Sequence, residues 1–221
     1  NTMSEELYAT YSIQLRDLSS DLFILLNKIT YHSARVYNYS LYTIKKHYEE
    51  HKEHLRYNTF YHKVKNVINY KLMPSSAAQQ TLKVLDRDYQ SFFGLMKKAK
   101  KDGSELPHPP HFKHKNSKFN LIFPKGTGFQ IKDGKLLLAV SNLMKKDQPL
   151  KRIELDFPSN IDPKSVQEVR ILPMCNGKFF KLQIVYQDNE INHDDLDKNG
   201  VLAIDTGMNN LAACNDISQI I

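Results

Sequence analysis

The stretch SVQEVRILPMCNGKFFKLQIVY, residues 165–186, decides the architecture of the second half of the chain. Apolar and polar residues alternate on both sides of Asn176 and Gly177, and a period of two is typical of strands that bury one face. An Asn-Gly pair is a strong short signal for a hairpin, because both central residues of a type I′ turn need positive φ. The stretch therefore predicts two antiparallel strands with Asn176 and Gly177 at the turn.

Shorter strand patterns lie on both sides of a long helical region. Upstream, Tyr11, Ile13 and Leu15 alternate with polar neighbours, which predicts a strand over 10–18. Downstream, the sequence predicts strands at 118–124, 128–131, 135–140 and 152–157. Asp133 and Gly134 supply a second hairpin turn between two of them. One strand therefore precedes the helices, and five or six strands follow them.

The region between these strands predicts three helices. Ser19 and Ser20 supply an N-cap for a helix over 21–54. A second helix covers 59–72 and is closed by Pro74. A third begins after a cap at Ser75 or Ser76 and ends near Lys101. Five of its apolar residues fall on one face and predict a seam inside a helix bundle: Leu82, Leu85, Tyr89, Phe92 and Met96.

The order of these elements predicts an α+β fold. The economical arrangement is a small, OB-like β-barrel built from 1–18 and 110–187, with a helical bundle of residues 19–109 inserted into its first connection. Residues 188–199 read as an acidic, polar linker, and residues 200–221 begin a separate domain.

Charge and composition indicate the class of partner. The 221 residues carry 31 lysines and arginines against 24 acids, for a formal net charge of +7, and such an excess favours a polyanion. No apolar run is long enough to span a membrane, and the N-terminal stretch lacks the blocks of a secretory signal. The two cysteines, Cys175 and Cys214, form no CxxC pair. We therefore expect a cytoplasmic protein that does not contact membranes.

A basic stretch spans the end of the third helix and the return to strands. Its cations are interleaved with an aromatic ring and imidazoles, a pattern that suits a phosphate backbone with stacked bases. Lysines in a last helical turn also favour the helix dipole, and a solvated face is the plain alternative. The candidate residues are Lys97, Lys98, Lys100, Lys101, His111, Phe112, Lys113, Lys115 and Lys118.

Two further patterns involve metal-ligating residue types. The run VLAID, 201–205, predicts a buried strand that ends in Asp205, and Gly207 then permits a tight turn. A carboxylate at such a strand end could hold a divalent cation, whereas an ordinary turn aspartate is the plain alternative. On the first helix, His47, His51 and His54 have the spacing of metal ligands. That segment is highly polar and lacks the surroundings that orient ligands, so we assign no metal site there.

Taken in order, six segments resemble the OrfB, or TnpB, proteins of bacterial insertion sequences, which are relatives of the compact type V CRISPR effectors. The resemblance covers nearly the whole chain. The segments are ARVYNYSLY (34–42), SSAAQQTLKVLDRDYQSFFGLMKKAKK (75–101), HPPHFKHKNSKFNLIFP (108–124), GFQIKDGKLLLAV (128–140), NGKFFKLQIVYQ (176–187) and VLAIDTGMNNLAACND (201–216).

The resemblance implies a domain assignment and a chemistry. The barrel would be the wedge domain, the inserted helices the recognition lobe, and 200–221 the start of a RuvC-type, RNase H-like nuclease. Asp205 would be the first of three carboxylates that clamp two magnesium ions during phosphodiester hydrolysis. The other acids and the zinc ribbon of the family are not among these 221 residues. We therefore expect an N-terminal portion that holds no magnesium and cuts no DNA by itself.

The resemblance also implies partners. Complete members are DNA endonucleases guided by a transposon-derived RNA, in which base pairing supplies most of the selection. Tyr57 and Gln79 match positions implicated in reading a short motif beside the target, and glutamine suits adenine. His111 stands where arginine is usual, which weakens a phosphate contact there, and Thr206 replaces the commoner leucine or valine. The sequence predicts no oligomeric state.

Three other functions fit parts of the sequence. A non-catalytic DNA-binding transposase accessory or regulator would share the basic surface but would bind duplex DNA without RNA. The triplet Asp205-Thr206-Gly207 also opens the phosphate-binding hairpin of the actin and heat-shock ATPases. A naturally short protein would use the segment after the linker only as a packed strand pair.

Overall fold

The structure, a computed structural model, describes residues 7–188, 202–205 and 213–216. Within them the chain is a mixed α+β protein with four α-helices and two larger antiparallel sheets. It divides into two compact units, Tyr8–Gln187 and Asn1–Leu7 with Asp188–Ile221. No helix of the described ranges is long and apolar enough to cross a membrane.

The helices of the first unit are α1 (Ser20–His51), α2 (Tyr57–Val64), α3 (Ile68–Lys71) and α4 (Ser75–Asp102). The predicted cap of α1 is confirmed, because Leu22 donates its backbone N–H to Ser19 Oγ at 3.3 Å. The single helix predicted over 59–72 is wrong. It is two helices, because the chain leaves helical geometry at Val67, whose ψ is 149°. The break lets α2 bury Phe60 and α3 bury Tyr70.

The predicted strands are present, but the first covers residues 8–15 and not 10–18, and Ile13, which was expected on its half-buried face, is 44% exposed. The strands are β1 (Tyr8–Leu15), β2 (Leu121–Pro124), β3 (Phe129–Lys132), β4 (Lys135–Ala139), β5 (Arg152–Asp156), β6 (Val166–Met174) and β7 (Phe179–Gln187). One sheet has the order β1-β7-β6-β2, and the other has the order β3-β4-β5. Along the sequence, all four helices therefore lie between β1 and β2, which are the two edge strands of the four-stranded sheet.

The two sheets share one hydrophobic core. Leu136 and Ile153 of the three-stranded sheet belong to the same buried cluster as Ile171 and Leu182 of the four-stranded sheet. Among residues 7–188 no ladder joins the two sheets. The structure thus shows two antiparallel sheets around a common core where the sequence predicted a small OB-like barrel.

Both predicted hairpins exist, and one has a longer turn than predicted. Lys132 pairs with Lys135 across Asp133 and Gly134, whose φ values are 51° and 71°. In the β6–β7 hairpin, Met174 pairs with Phe179, so Asn176 and Gly177 lie at the middle of a four-residue loop, and φ is positive at both (57° and 84°). Gly177 also donates its N–H to Met174 O at 2.9 Å, which closes a tight turn within that loop.

Helices α1 and α4 run parallel and side by side. Ser33 Oγ lies 3.0 Å from Thr81 Oγ1, and further along the hydroxyl of Tyr37 donates to Asp88 Oδ2 at 3.1 Å. The predicted seam of α4 is buried at Leu82, Leu85 and Tyr89, whereas Phe92 is only partly buried. The apolar face of α4 therefore opens toward solvent near its C-terminus.

The second unit contains one described hairpin. Strand β8 (Leu202–Asp205) pairs antiparallel with β9 (Ala213–Asp216), and Asp205 lies opposite Ala213. Elsewhere in this unit, Asp188 donates its backbone N–H to Leu7 O at 2.9 Å. The predicted linker beyond Asp188 and the turn at Gly207 lie outside the described residues, and the RNase H-like assignment stays a prediction.

Candidate nucleic-acid interface

The return segment, residues 107–118, runs from the end of α4 toward β2 and is held along α1. Asn38 binds it on both sides of one residue: Lys113 donates its N–H to Asn38 Oδ1 at 2.7 Å, and Asn38 Nδ2 donates to Lys113 O at 2.8 Å. One turn earlier on α1, Arg35 Nη2 donates to His114 O at 2.7 Å. The backbone of the return segment is thus hydrogen-bonded to side chains of α1. The side chains of the segment lie in different surroundings.

Lys113 points into the protein and not toward a partner. Its ammonium lies 4.4 Å from the ring centroid of Tyr37 and 4.5 Å from that of Phe119. A cation this close to two aromatic faces is stabilised by their electrons. Burial, followed by the neighbouring Asp88 carboxylate, raises the pKa of the Tyr37 hydroxyl, so that ring stays neutral. Lys113 therefore holds the return segment in place.

The other predicted residues of the return segment lie closer to solvent. Phe112 is 50% exposed, and Lys45 Nζ of α1 lies 4.9 Å from its ring centroid. His111 is exposed, and its ring lies 6.2 Å from that of His108. Lys115 is exposed as well. Lys118 is half-buried and donates its backbone N–H to Asn176 Oδ1 at 3.2 Å, which ties it to the β6–β7 hairpin.

Only two of the four lysines at the end of α4 line a common cavity. All four are exposed, and Lys97 and Lys100 line a cavity against α1, whereas Lys98 and Lys101 do not. At 100° per residue, Lys98 lies about 160° around the helix from Lys100. Lys97 and Lys100 line the same cavity as Lys45, a lysine of α1 that no pattern in the sequence singled out.

These three lysines line a cavity of about 660 Å³ between the C-terminal halves of α1 and α4, named here the α1–α4 cleft. Its inner surface is largely aromatic and aliphatic, and Glu49 is the one acid among its lining residues. The lining residues are Ile44, Lys45, Tyr48, Glu49, His54, Tyr89, Phe92, Phe93, Met96, Lys97, Lys100 and Pro109. The cleft therefore combines an apolar interior with a cationic edge.

His54 forms part of the aromatic interior of the cleft. Its ring centroid lies 4.6 Å from that of Tyr89 and 4.9 Å from that of Phe93. Burial lowers the pKa of His54, although the carboxylate of Asp86 acts in the opposite direction. The imidazole is therefore neutral near pH 7 and behaves as one more aromatic ring.

Tyr57 and Gln79 lie outside the α1–α4 cleft. Tyr57 begins α2 and donates its N–H to Asp86 Oδ1 at 3.0 Å, and Lys83 Nζ lies 5.7 Å from its ring centroid. Gln79 precedes Lys83 by one turn on α4 and is partly buried. Because residues four apart lie on one helical face, Gln79 and Lys83 share a surface with Tyr57. The predicted contact residues thus fall on two separate surfaces.

The described residues do not fit a two-metal centre. They contain no group of three or more His, Cys, Asp or Glu side chains that could hold a metal ion. The rings of His47 and His51 lie 4.4 Å apart, while His54 is turned into the α1–α4 cleft. In the β8–β9 hairpin, Asp216 pairs with Leu202, at the opposite end from Asp205. Asp205 is therefore the one acid that β8 and β9 place at that end of the hairpin.

Sequence reasoning missed Lys45, Tyr48 and Phe93, which line the α1–α4 cleft. No specific signal in the sequence marked them, because exposed aromatic side chains are common on this chain and single ones are normal on protein surfaces. Tyr48 is 53% exposed and Phe93 is 44% exposed. Asn38 and Arg35, which hold the return segment, lie within the ARVYNYSLY segment of α1. Their role depends on a contact between residues far apart in the chain.

No protein-family model matches the chain, and no curated protein sequence matches it. Among solved structures, one similar chain belongs to a CRISPR-Cas12f ternary complex determined by cryo-EM. It aligns with a TM-score of 0.40 and 17% sequence identity, over 89% of this chain and 46% of that one. The chain thus spans less than half the length of that chain.

Proposed function

We propose that this chain is the nucleic-acid-binding portion of a TnpB-type, RNA-guided DNA nuclease encoded by an insertion sequence. The observation that carries the proposal is the convergence of Lys45, Lys97 and Lys100, from two parallel helices, at the edge of an aromatic cleft. Phe112 is half-exposed and lies beside one of these lysines, with Lys45 Nζ 4.9 Å from its ring centroid. This combination of cations and aromatic rings suits a phosphate backbone that carries bases.

The electrostatics favour a polyanion over an acidic protein. Each lysine that neutralises a phosphate releases condensed counterions, and this release supplies most of the affinity of non-specific nucleic-acid binding. The exposed Lys98, Lys101 and Lys115 extend the positive surface beyond the cleft. An acidic peptide would gain from the same charges but would leave the exposed rings of Tyr48 and Phe93 without a planar partner.

The finer assignment rests on the order of the six sequence segments. In this assignment, the part formed by the two sheets is the wedge domain and the four helices are the recognition lobe. Tyr57 and Gln79 then belong to the surface that reads a motif beside the target. The bound nucleic acids are a transposon-derived guide RNA and the target DNA. In the complete protein, Asp205 would hold magnesium, which would supply the activated water for phosphodiester hydrolysis. The described residues supply no complete site for that ion, so no catalytic step is assigned to them.

The test measures binding of a structured RNA to the 221-residue chain as a function of salt. We expect affinity to fall steeply with salt, and the triple variant Lys45→Ala/Lys97→Ala/Lys100→Ala to bind more weakly with a salt slope lower by about 2. The matched control is Lys63→Ala/Lys71→Ala/Lys146→Ala, which removes three exposed lysines elsewhere on the surface. Equal losses in both variants would show that net charge alone, and not this surface, drives binding.

A second arm separates the proposal from a DNA-binding regulator. Binding of duplex DNA is compared with and without the 3′-end RNA of the cognate element. An RNA-guided protein should bind that RNA at least as tightly as the duplex alone. Tight binding of duplex and none of RNA would replace the proposal with the regulator.

A further inference from the structure

We propose that the α1–α4 cleft holds one unstacked base of a single-stranded nucleic acid, with the flanking phosphates on Lys45, Lys97 and Lys100. This inference rests on the proposed function and adds to it a specific pocket and the chemical form of its ligand.

Each wall carries an aromatic ring that is about half exposed. Tyr48 on α1 is 53% exposed and Phe93 on α4 is 44% exposed, and both line the cleft. Each ring also has contacts within the protein: Phe93 packs against His54 and Tyr89, and Lys52 Nζ lies 6.0 Å from the ring centroid of Tyr48. The exposed part of each ring is apolar surface that a flat ligand would cover, so two such rings in one cleft favour a ligand with flat faces. A base has a π face whatever its identity, and stacking on aromatic side chains is how sequence-tolerant binders hold it.

The interior is uncharged. Tyr89 is 6% exposed, and burial raises the pKa of its hydroxyl, so it stays protonated. His54 packs against both Tyr89 and Phe93 as a neutral ring. Met96 adds a flexible thioether to the lining, and methionine packs well against aromatic rings. Such a floor accepts an uncharged planar group and penalises a phosphate.

The edge carries the opposite chemistry. Lys45 extends from α1, and Lys97 and Lys100 extend from α4, one helical turn apart. Long lysine stems can lie along apolar surface while the ammonium stays in water. A nucleotide has the same division, because its base is neutral and its phosphate is charged. The cavity of about 660 Å³ is within the range of pockets that enclose small ligands.

The decisive comparison uses two oligonucleotides of equal length and charge, one with bases and one fully abasic, each as RNA and as DNA. We expect the 221-residue chain to bind the base-bearing strand at least about fivefold more tightly, the lower limit for stacking of one base. A single 2-aminopurine in the strand should change fluorescence on binding as it leaves its neighbours. Equal affinity for the two strands would overturn the inference and leave the proposed function intact. Failure to bind either strand would overturn both.

Variants place the base in this cleft. Phe93→Ala and Tyr48→Ala should each bring the ratio of the affinities for the base-bearing and the abasic strand close to one. Binding of the abasic strand should be retained in both variants. The matched control is Leu95→Ala, because Leu95 is 54% exposed on the same helix and does not line the cleft. An unchanged preference in both aromatic variants would contradict the inference. The inference would also be contradicted if sedimentation showed a dimer that Phe93→Ala dissociates, because a second copy of the chain would then cover the cleft.

Discussion

The carboxamide of Asn38 binds both backbone polar groups of Lys113, at 2.7 and 2.8 Å. The two residues are 75 positions apart in the chain, so one side chain of α1 fixes the path by which the chain returns from the helices to the sheets. The ammonium of the same lysine packs against the rings of Tyr37 and Phe119. The backbone and the side chain of Lys113 are therefore held by different contacts.

Replacement of Asn38 tests the backbone contacts. Asn38→Ala leaves a partly buried N–H and C=O without partners, which should cost about 1–3 kcal/mol in the free energy of unfolding measured with urea. Asn142→Ala, at an exposed turn position, serves as the control and should change stability by less than about 0.5 kcal/mol. Equal values for the two variants would show that the return segment is held by other contacts.

Two neighbouring lysines should separate stability from binding. Lys113→Ala removes the cation between Tyr37 and Phe119 and should destabilise the fold by about 0.5–2 kcal/mol. Lys115→Ala removes an exposed lysine, so it should leave stability within about 0.5 kcal/mol while weakening RNA binding. Both are measured by urea unfolding and by RNA affinity at fixed salt. The reverse pattern would mean that Lys113, and not Lys115, faces the nucleic acid.

Two glycines should respond to alanine with opposite signs. Gly177 has φ 84°, and a Cβ there would lie 2.5 Å from Asn27 Oδ1 and 2.5 Å from Lys118 Cδ. The lysine carbons can move aside, but Asn27 is anchored because its Nδ2 donates to Phe23 O at 3.1 Å. The left-handed backbone alone costs about 1–2 kcal/mol, so we expect Gly177→Ala to cost at least that much. Gly94 lies inside α4, where a Cβ meets nothing within 4 Å. Gly94→Ala should therefore stabilise by about 0.5–1 kcal/mol, measured as a shift in the urea midpoint.

Stability should fall as pH drops below 6.5. Burial lowers the pKa of both His32 and His54 from 6.5, so the unfolded chain binds more protons than the folded one in this range. The contribution is fully present above pH 6.5 and is lost as the pH falls toward the folded-state pKa. His54→Gln should lose less stability than the native chain between pH 7 and 5.5. His62→Gln, at an exposed position, should behave like the native chain; identical profiles for all three would contradict the assignment.

Local patterns predicted most of the fold. Alternation located β2 to β7, and the cap at Ser19 located the start of α1. These features depend on neighbours in the sequence, which is why they could be inferred. The interruption at Val67 was missed because the 59–72 segment keeps helical periodicity on both sides of the break. The burial of Phe60 and Tyr70 against the core decides where the helix breaks.

The candidate site was only partly predictable. The basic stretch was found, but its residues divide between a structural lysine, Lys113, a tethered one, Lys118, and the cleft lysines Lys97 and Lys100. The cleft itself draws its lining from α1, α4 and the return segment. No periodicity within one segment shows which faces of the others will meet it, so the convergence of Lys45 with Lys97 needed the structure.

The pairing of β1 with β7 has a consequence for biosynthesis. Tyr8 lies opposite Gln187, so the first strand leaves the ribosome long before its partner is made. At 5–20 residues per second, this interval is roughly 10–30 s. During that time, β1 is an unsatisfied edge, and we expect nascent chains to be most prone to aggregate or to bind chaperones until β7 emerges.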